Sequence, residues 1–266
     1  MAKRLGKFEL PKRLVKDEAT ATETYAKFVA EPFETGFGHT IGNALRRVLL
    51  GSIEGAAISS IKIEGVDHEF QSVEGIVEDV TDIVLNLKKI KIKSATREPK
   101  RLMIDVEKEG PVTAADIQPD ADITIVNPEQ VICTLDKDVP FRAEIDIIKG
   151  KGYLPAEKIA SSRTVGTIPV DCLFSPVTRV NYQVGAARVG EETEMDSLEL
   201  QIWTDGRIKP HDALEAAAQI LKEHLQVFLG GQPEKKDAKD MMTEEERHLF
   251  KQLAQDVEVL DLSVRA

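Results

Sequence analysis

Apolar residues recur at helical spacing in a short segment near the amino terminus. After a glycine-rich turn at residues 36–38, they occupy positions i, i+3, i+4, i+7 and i+8, which is the pattern of a helix with one buried stripe. The stripe consists of Ile41, Ala44, Leu45, Val48 and Leu49. We therefore predict a helix over residues 40–50, with the Thr40 side chain as its N-cap and Gly51 as the left-handed residue that ends it.

The widest apolar surface is predicted for a second long helix, over residues 210–229. Proline suits the first helical position, and the two glycines after residue 229 end the pattern. A helix that is apolar over so much of its circumference is buried on two sides. One of these sides faces either another subunit or the chain's own domain, and the pattern leaves both open. The main stripe is Leu214, Ala217, Leu221, Leu225 and Phe228, widened by Ala213, Ala216, Ile220 and Val227.

Around these two helices the pattern changes to short runs typical of strands, separated by Gly-Pro, Pro-Asp and Asn-Pro pairs. The predicted strands cover residues 21–31, 57–64, 90–93, 102–106, 123–126, 131–135, 141–148, 179–187 and 197–203. Helical spacing returns at residues 72–87, and a capping box at residues 243–246 begins a short helix after a charged linker. This order of elements indicates an α+β protein in which residues 53–178 form a compact unit.

The face of the first helix opposite its apolar stripe carries two adjacent arginines. Asn43, Arg46, Arg47 and Leu50 fall on this face, because each residue turns the helix by about 100°. Such a face is either solvated or a surface for a partner, since arginine beside an exposed leucine is common at interfaces.

The glycine turn before this helix also suggests a phosphate site, but its spacing does not fit one. The dinucleotide fingerprint needs glycines at relative positions one, three and six, and the sixth position here is Ile41. A phosphate loop would end in Gly-Lys-Ser or Gly-Lys-Thr, which the chain lacks. A tight turn with positive φ explains the glycines better. Thermal stabilisation by added nucleotide would distinguish a nucleotide-binding enzyme from a binding platform.

Composition narrows the classes of function. With 266 residues, of which 42% are hydrophobic, the chain can form one large domain or two modest ones. Its net charge of −11 argues against a surface that binds nucleic acid throughout. Cys133 and Cys172 fit no metal or redox motif and favour a reduced, cytoplasmic setting. No apolar run is long enough to span a membrane.

Candidate catalytic groups are few and have ordinary explanations. None of the five histidines belongs to a metal-binding motif. The Asp-His-Glu cluster at residues 67–69 follows a turn, where such residues are commonly solvated. The Asp-x-Asp spacings at residues 120–122 and 136–138 lie in turn-rich stretches, where aspartate is common. We therefore predict no catalytic residue, no metal site and no cofactor on this chain.

Several separate stretches together resemble the bacterial RNA polymerase alpha subunit over residues 8–231. Their combination is far more specific than any one of them. The stretches are residues 36–50, 65–87, 110–117, 150–155, 174–177 and 182–187, with the runs Val66-Asp67-His68-Glu69-Phe70 and Phe174-Ser175-Pro176-Val177.

The resemblance implies a two-domain α+β fold. A discontinuous dimerisation domain would comprise residues 1–52 and 179–231, and an inserted domain, residues 53–178, would contact large subunits. Two copies would form a homodimer through the two amphipathic helices. The implied interface residues are Ile41, Leu45, Val48, Leu49, Leu214, Ala217, Leu221, Leu225 and Phe228.

The same resemblance implies a non-catalytic assembly subunit that binds the beta and beta-prime subunits. The chain would then be an enzyme only as part of the DNA-directed RNA polymerase, a nucleotidyltransferase complex. Arg47 matches a position tied to beta binding, whereas Asp82, Lys88 and residues 170–176 match positions used toward beta-prime. A homodimeric scaffold unrelated to transcription is the remaining alternative, and a pull-down from lysate would separate the two. The implied large-subunit contacts are Arg46, Arg47, Asp82, Lys88, Ser175 and Pro176.

Residues 232–266 are expected to form a linker and the first part of the family's carboxy-terminal domain, which binds DNA and activators. The rest of that domain is expected to be truncated. We therefore expect DNA contact only indirectly, and at most weak binding of duplex DNA by this chain alone at physiological salt. The resemblance implies a cytoplasmic protein of bacterial type, and a plastid origin is also compatible with it.

Overall fold

The structure, a computed structural model, describes residues 10–11, 13–137, 139–160, 166–189 and 192–229. The predicted α+β class is confirmed, because these residues form antiparallel sheets and a few helices. The strands are β1 (Leu14–Lys16), β2 (Tyr25–Glu34), β3 (Glu54–Ile63), β4 (Ile92–Ser94), β5 (Lys100–Val106), β6 (Gly110–Thr113), β7 (Ile123–Ile125), β8 (Val131–Leu135), β9 (Phe141–Lys151), β10 (Tyr153–Leu154), β11 (Ile168–Pro169), β12 (Cys172–Leu173), β13 (Val177–Val189) and β14 (Glu192–Thr204). The helices are α1 (Phe37–Gly51), α2 (Val80–Leu87), α3 (Ala156–Ala160) and α4 (Pro210–Gln226), with 3-10 turns at Ala114–Asp116 and Val227–Leu229.

Two larger sheets organise the described residues. A four-stranded sheet has the order β1–β2–β14–β13, and its two longest strands, β13 and β14, form a hairpin. A six-stranded sheet has the order β5–β9–β3–β4–β7, with β11 paired to β3. Smaller pairs join β10 to β12 and β6 to β8. The chain therefore leaves the four-stranded sheet after β2, builds the six-stranded sheet, and returns with β13.

Each larger sheet has its own hydrophobic core. One core surrounds the six-stranded sheet and α2, and residues such as Ile61, Ile83 and Ile145 are fully buried in it. The other joins the four-stranded sheet to α1 and α4, and it contains Phe28 and Leu200 from distant parts of the sequence. Each sheet is therefore stabilised by the burial of apolar side chains that belong to this same chain.

The described residues up to Leu221 form one compact unit, and α4 continues from it into a second unit, of which residues 222–229 are described. The division into residues 1–52 with 179–231, and residues 53–178, stays a prediction. The expected linker and short helix within residues 232–266 lie outside the described residues. Within the described part of the chain, no helix is long and apolar enough to cross a membrane.

The first helix begins and ends differently from the prediction. α1 begins directly after Gly36, which adopts a φ of 88°. Thr40 lies inside the first turn, where its hydroxyl donates to the Gly36 carbonyl at 3.2 Å, so the prediction that Thr40 is the N-cap is wrong. Gly51 is the last helical residue, and the left-handed end predicted for it is also wrong, because Ser52 closes the final turn with its N–H.

The helix predicted for residues 72–87 is only half present. Its first half forms turns, because Gly75 adopts a φ of 85°, a conformation that other residues rarely adopt. Glu78 ties these turns to β8 by accepting hydrogen bonds from the N–H and the hydroxyl of Thr134, at 2.6 and 3.0 Å. α2 begins only after Asp79, whose side chain accepts a hydrogen bond from the Asp82 N–H at 2.8 Å.

Candidate functional site

α1 lies close against the four-stranded sheet because two glycines face that sheet. Gly38 and Gly42 are buried and stand one turn apart. A Cβ atom at Gly38 would lie 2.9 Å from Val184 Cγ1, and one at Gly42 would lie 2.7 Å from Tyr182 Cδ2. Both distances are too short for ordinary packing, so the close approach of helix and sheet requires glycine at these positions.

The amino-terminal end of α1 holds a carboxylate that belongs to the chain itself. Oδ2 of Asp196 in β14 accepts hydrogen bonds from the N–H groups of Gly36 and Gly38, at 2.8 and 3.1 Å. The first N–H groups of a helix lack intrahelical partners and favour an anion. Because Asp196 supplies that anion, it occupies two donors that a bound phosphate would need. The glycine turn thus attaches the start of α1 to the four-stranded sheet through Asp196.

The predicted dimer residues of α1 differ in exposure. Leu49 is fully buried in the core beneath the helix. Leu45 and Val48 pack against that core but stay partly exposed, and Ile41 is half-buried as well. Ile41, Leu45 and Val48 therefore form an apolar row that the chain leaves partly uncovered; we call it the α1 row.

The predicted dimer residues of α4 show a similar gradation along the helix. Leu214 and Ala217 are buried in the core of the four-stranded sheet, and Leu221 is half-buried. In the second unit, Leu225 and Phe228 are exposed. The beginning of α4 thus contributes to the core of its own sheet, and the later residues present uncovered apolar surface.

Arg46 and Arg47 are exposed on the side of α1 away from the α1 row, as the helical spacing predicted. Asn43 and Leu50 are exposed on the same side. Among the described residues, neither arginine has a partner in an ion pair or a side-chain hydrogen bond. Both guanidinium groups are therefore available to a partner.

A polar cluster lies at the end of α2 around the predicted contact residue Lys88. Lys88 Nζ is 3.0 Å from Asp171 Oδ2, and the Ala156 N–H donates to the other carboxylate oxygen at 2.8 Å. The Ala156 N–H and Lys88 lower the pKa of Asp171 below its ordinary value. Partial burial and a hydrogen bond to Asp171 raise the pKa of Tyr153. At neutral pH the cluster thus holds an ionised carboxylate between three donors.

Two exposed apolar side chains flank this cluster. Tyr153 and Leu173 are directly opposite each other in the β10–β12 pair, and both are exposed. Sequence reasoning included Leu173 only within residues 170–176 and Tyr153 only within the stretch 150–155, and it singled out neither. The signal for Leu173 is the alternation of residues 172–174, because Cys172 and Phe174 are buried and the leucine between them points outward.

The other predicted large-subunit residues lie in different settings. Asp82 is exposed in the first turn of α2. Ser175 is half-buried, and its hydroxyl donates to the Leu50 carbonyl at the end of α1, at 3.1 Å. Pro176 is buried. Ser175 therefore connects the segment around Leu173 to the end of α1, and Pro176 offers little surface of its own.

Arg207 is the central polar residue that sequence reasoning missed, since its stretch reads only as a turn. Its Nε lies 2.8 Å from Asp205 Oδ2, and both side chains are nearly buried. The guanidinium also donates to the carbonyls of Ala56, Leu173 and Ser175, at 2.9, 3.4 and 2.8 Å. Arg207 thereby holds the beginning of β3 and the segment around Leu173 in one arrangement.

Metal-binding and redox groups are sparse in the described part of the chain. No three His, Cys, Asp or Glu side chains there are arranged to hold a metal ion. Cys133 and Cys172 are buried thiols, and burial together with Glu78 raises the pKa of Cys133 to about 12. A thiol with so high a pKa is protonated at neutral pH and is a poor nucleophile.

Residues 61–175 match the family model of the RNA polymerase Rpb3/RpoA insert domain. The matched range begins in β3 and ends before β13. It includes most of the core of the six-stranded sheet, the Lys88 cluster and the exposed pair Tyr153 and Leu173. Over these residues the match supports the resemblance to the alpha subunit, which was based on short motifs.

Proposed function

We propose that this chain, in which residues 61–175 match the RNA polymerase Rpb3/RpoA insert domain, is the non-catalytic subunit on which RNA polymerase assembles. Two copies form a homodimer, and the dimer binds the beta and beta-prime subunits, which carry the polymerisation chemistry. The observation that carries this proposal is the division of α1 into two faces. One face has the partly uncovered α1 row, and the other has the available arginines Arg46 and Arg47.

Uncovered apolar surface on α1 and α4 supports the homodimer. Covering apolar surface stabilises an assembly by about 25 cal/mol per Å² removed from water. A two-fold interface uses the same surface on both copies, so each exposed apolar residue contributes buried area from both copies. In this arrangement Leu49, Leu214 and Ala217 hold the helices on their own sheet. The contact between copies is made by the α1 row and by Leu221, Leu225 and Phe228.

We expect the substitution Leu225→Asp to convert the dimer into a folded monomer. Leu225 is 51% exposed, so the monomer tolerates aspartate, whereas a dimer interface would bury an unpaired charge. Sedimentation velocity measures the mass, and circular dichroism checks the fold. Leu85→Asp is the matched control, because Leu85 is 48% exposed on α2, outside the predicted dimer helices. A monomeric wild type, or an unchanged dimer in the Leu225 variant, would contradict the homodimer.

The arginine face of α1 supports a large partner. Arginine is enriched at interfaces, because its planar guanidinium can form two parallel hydrogen bonds to one carboxylate. Arg46 and Arg47 are carried by a helix that Gly38, Gly42 and Asp196 hold close against its sheet. We assign this face to the beta subunit and the surface around Lys88 to beta-prime.

We expect the double substitution Arg46→Ala/Arg47→Ala to leave the dimer folded and to weaken its binding to beta. Surface changes usually alter the free energy of unfolding by about 0.5 kcal/mol or less, whereas an interface arginine can contribute roughly 2 kcal/mol or more to binding. The measurement is reconstitution with beta and then beta-prime, followed by size-exclusion chromatography beside a thermal melt. Arg13→Ala/Arg97→Ala, at two other exposed arginines, is the control. Normal melting with normal assembly in the first variant would rule out the assigned docking face.

A further inference from the structure

Besides Lys88, four further lysines line two neighbouring clefts. Lys89 and Lys91 line an open cleft of about 340 Å³, and Lys93 and Lys149 line one of about 270 Å³. Ala56 and Arg207 contribute to both clefts, so the two are adjacent. We call Lys89, Lys91, Lys93 and Lys149 the lysine strip.

The local backbone directs three of these lysines outward. Ile90 and Ile92 are buried in the core of the six-stranded sheet, so the lysines that alternate with them face the clefts. The Lys91 N–H donates to Asn127 Oδ1 at 2.7 Å, and the Lys93 position pairs with Thr124 of β7. The register of the strip is therefore fixed by the sheet.

The lysine strip forms no ion pair within the described part of the chain. By contrast, Lys100 pairs with Asp122 at 2.8 Å. The carboxylates that line the same clefts as the strip, those of Glu54, Asp171 and Asp205, pair instead with Arg97, Lys88 and Arg207. The strip is thus a concentrated positive patch on a chain with a net charge of −11. Such a local patch attracts a complementary anionic partner.

The surroundings of the strip favour a peptide over a nucleic acid. Leu173 lines the first cleft as an exposed apolar side chain beside Tyr153, and Ile58 and Leu87 line it as well. Among the described residues, no aromatic side chain lines either cleft, so base stacking has no platform from this part of the chain. An aliphatic side chain flanked by carboxylates fits this chemistry best.

We propose that the lysine strip binds an acidic segment of the large subunit that docks beside Lys88, with an aliphatic side chain of that segment on Leu173. This inference rests on the proposed function, since the partner is a polymerase large subunit. It adds the chemistry of the contact: carboxylates of the partner face Lys89 and Lys91, and Lys93 and Lys149 extend the contact along the second cleft.

The test is charge reversal at the strip in the full chain. Lys89→Glu/Lys91→Glu should weaken binding of the alpha dimer to beta-prime, in the presence of beta, by roughly tenfold or more, because like charges would then face each other. Lys108→Glu/Lys137→Glu, at two exposed lysines in turns outside the clefts, changes the net charge equally and should bind as the wild type does. The loss should shrink between about 0.1 M and 1 M salt, where screening shortens the Debye length from about 10 Å to 3 Å.

The possible outcomes distinguish the proposed function from the lysine-strip inference. Failure of the wild-type chain to assemble with the large subunits overturns the proposed function. Wild-type assembly with equal binding by both double variants overturns the lysine-strip inference and leaves the proposed function standing. A photo-crosslinker at Lys91 identifies the occupant directly. Crosslinks to an Asp- and Glu-rich segment of a large subunit support the inference, and crosslinks to a segment without acidic residues, or to nucleic acid, overturn it.

Discussion

Replacing Gly42 by alanine is expected to lower the free energy of unfolding by about 1–3 kcal/mol, as overpacking of a well-packed contact usually does. The new Cβ atom would lie 2.7 Å from Tyr182 Cδ2 and 2.9 Å from Leu198 Cδ1. α1 must then move away from the sheet. Because the α1 row and both arginines lie on this helix, dimerisation and docking should weaken together. Urea denaturation measures the stability, and sedimentation velocity measures the dimer.

The matched control for Gly42→Ala is the same substitution at the other end of α1. A Cβ atom at Gly51 would meet nothing within 4 Å. Alanine is favoured over glycine in a helix by about 1 kcal/mol, so Gly51→Ala should leave stability unchanged or raise it by up to that amount. Equal effects of the two substitutions would mean that Gly42 is not a packing position.

The glycine turn also shows which part of this site the sequence could predict. A turn with positive φ was expected, and Gly36 has a φ of 88°. The partner of the turn could not be expected, because Asp196 is 160 residues away from Gly36 along the chain. Thr40 was assigned as the N-cap on local grounds, but the N–H groups of the turn are instead satisfied by a carboxylate from β14. Local patterns do not reveal a cap supplied by tertiary structure.

The strands agree with the pattern of apolar residues more closely than α2 does. β8 occupies the predicted residues 131–135, since its ends are set by local turns. The segment before α2 has helical spacing, yet Gly75 has a positive φ and Glu78 is bonded to β8. Tertiary hydrogen bonds therefore replaced the intrahelical bonds that the spacing predicted.

The candidate docking surfaces were predictable in part. Helical spacing placed Arg46 and Arg47 on the exposed side of α1, where the structure has them. Ser175 and Pro176 were selected by resemblance, but the exposed residue of that segment is Leu173. In a short irregular segment, tertiary packing decides which side chain faces solvent. Here Cys172 and Phe174 are buried, so Leu173 between them is exposed.

Arg207→Ala is expected to be the most destabilising single substitution proposed for this chain. The side chains of Arg207 and Asp205 are 8% and 12% exposed, and removing one partner of a buried pair costs about 3–5 kcal/mol. The Asp205 carboxylate would lose its guanidinium partner, and the carbonyls of Leu173 and Ser175 would lose a donor. Assembly with beta-prime should therefore fall by more than the loss of folded protein explains, because Leu173 is no longer held in place.

Arg97→Ala provides the comparison, since Arg97 also pairs with a carboxylate but on the surface. Its side chain is 79% exposed, that of its partner Glu54 is 42% exposed, and their atoms lie 3.0 Å apart. Exposed pairs contribute about 1 kcal/mol or less, so this variant should unfold nearly as the wild type does. Urea denaturation of both variants, beside reconstitution at a temperature where each is folded, separates stability from docking. If Arg207→Ala unfolds like Arg97→Ala and assembles normally, Arg207 does not hold the segment around Leu173, and the orientation of that surface has another cause.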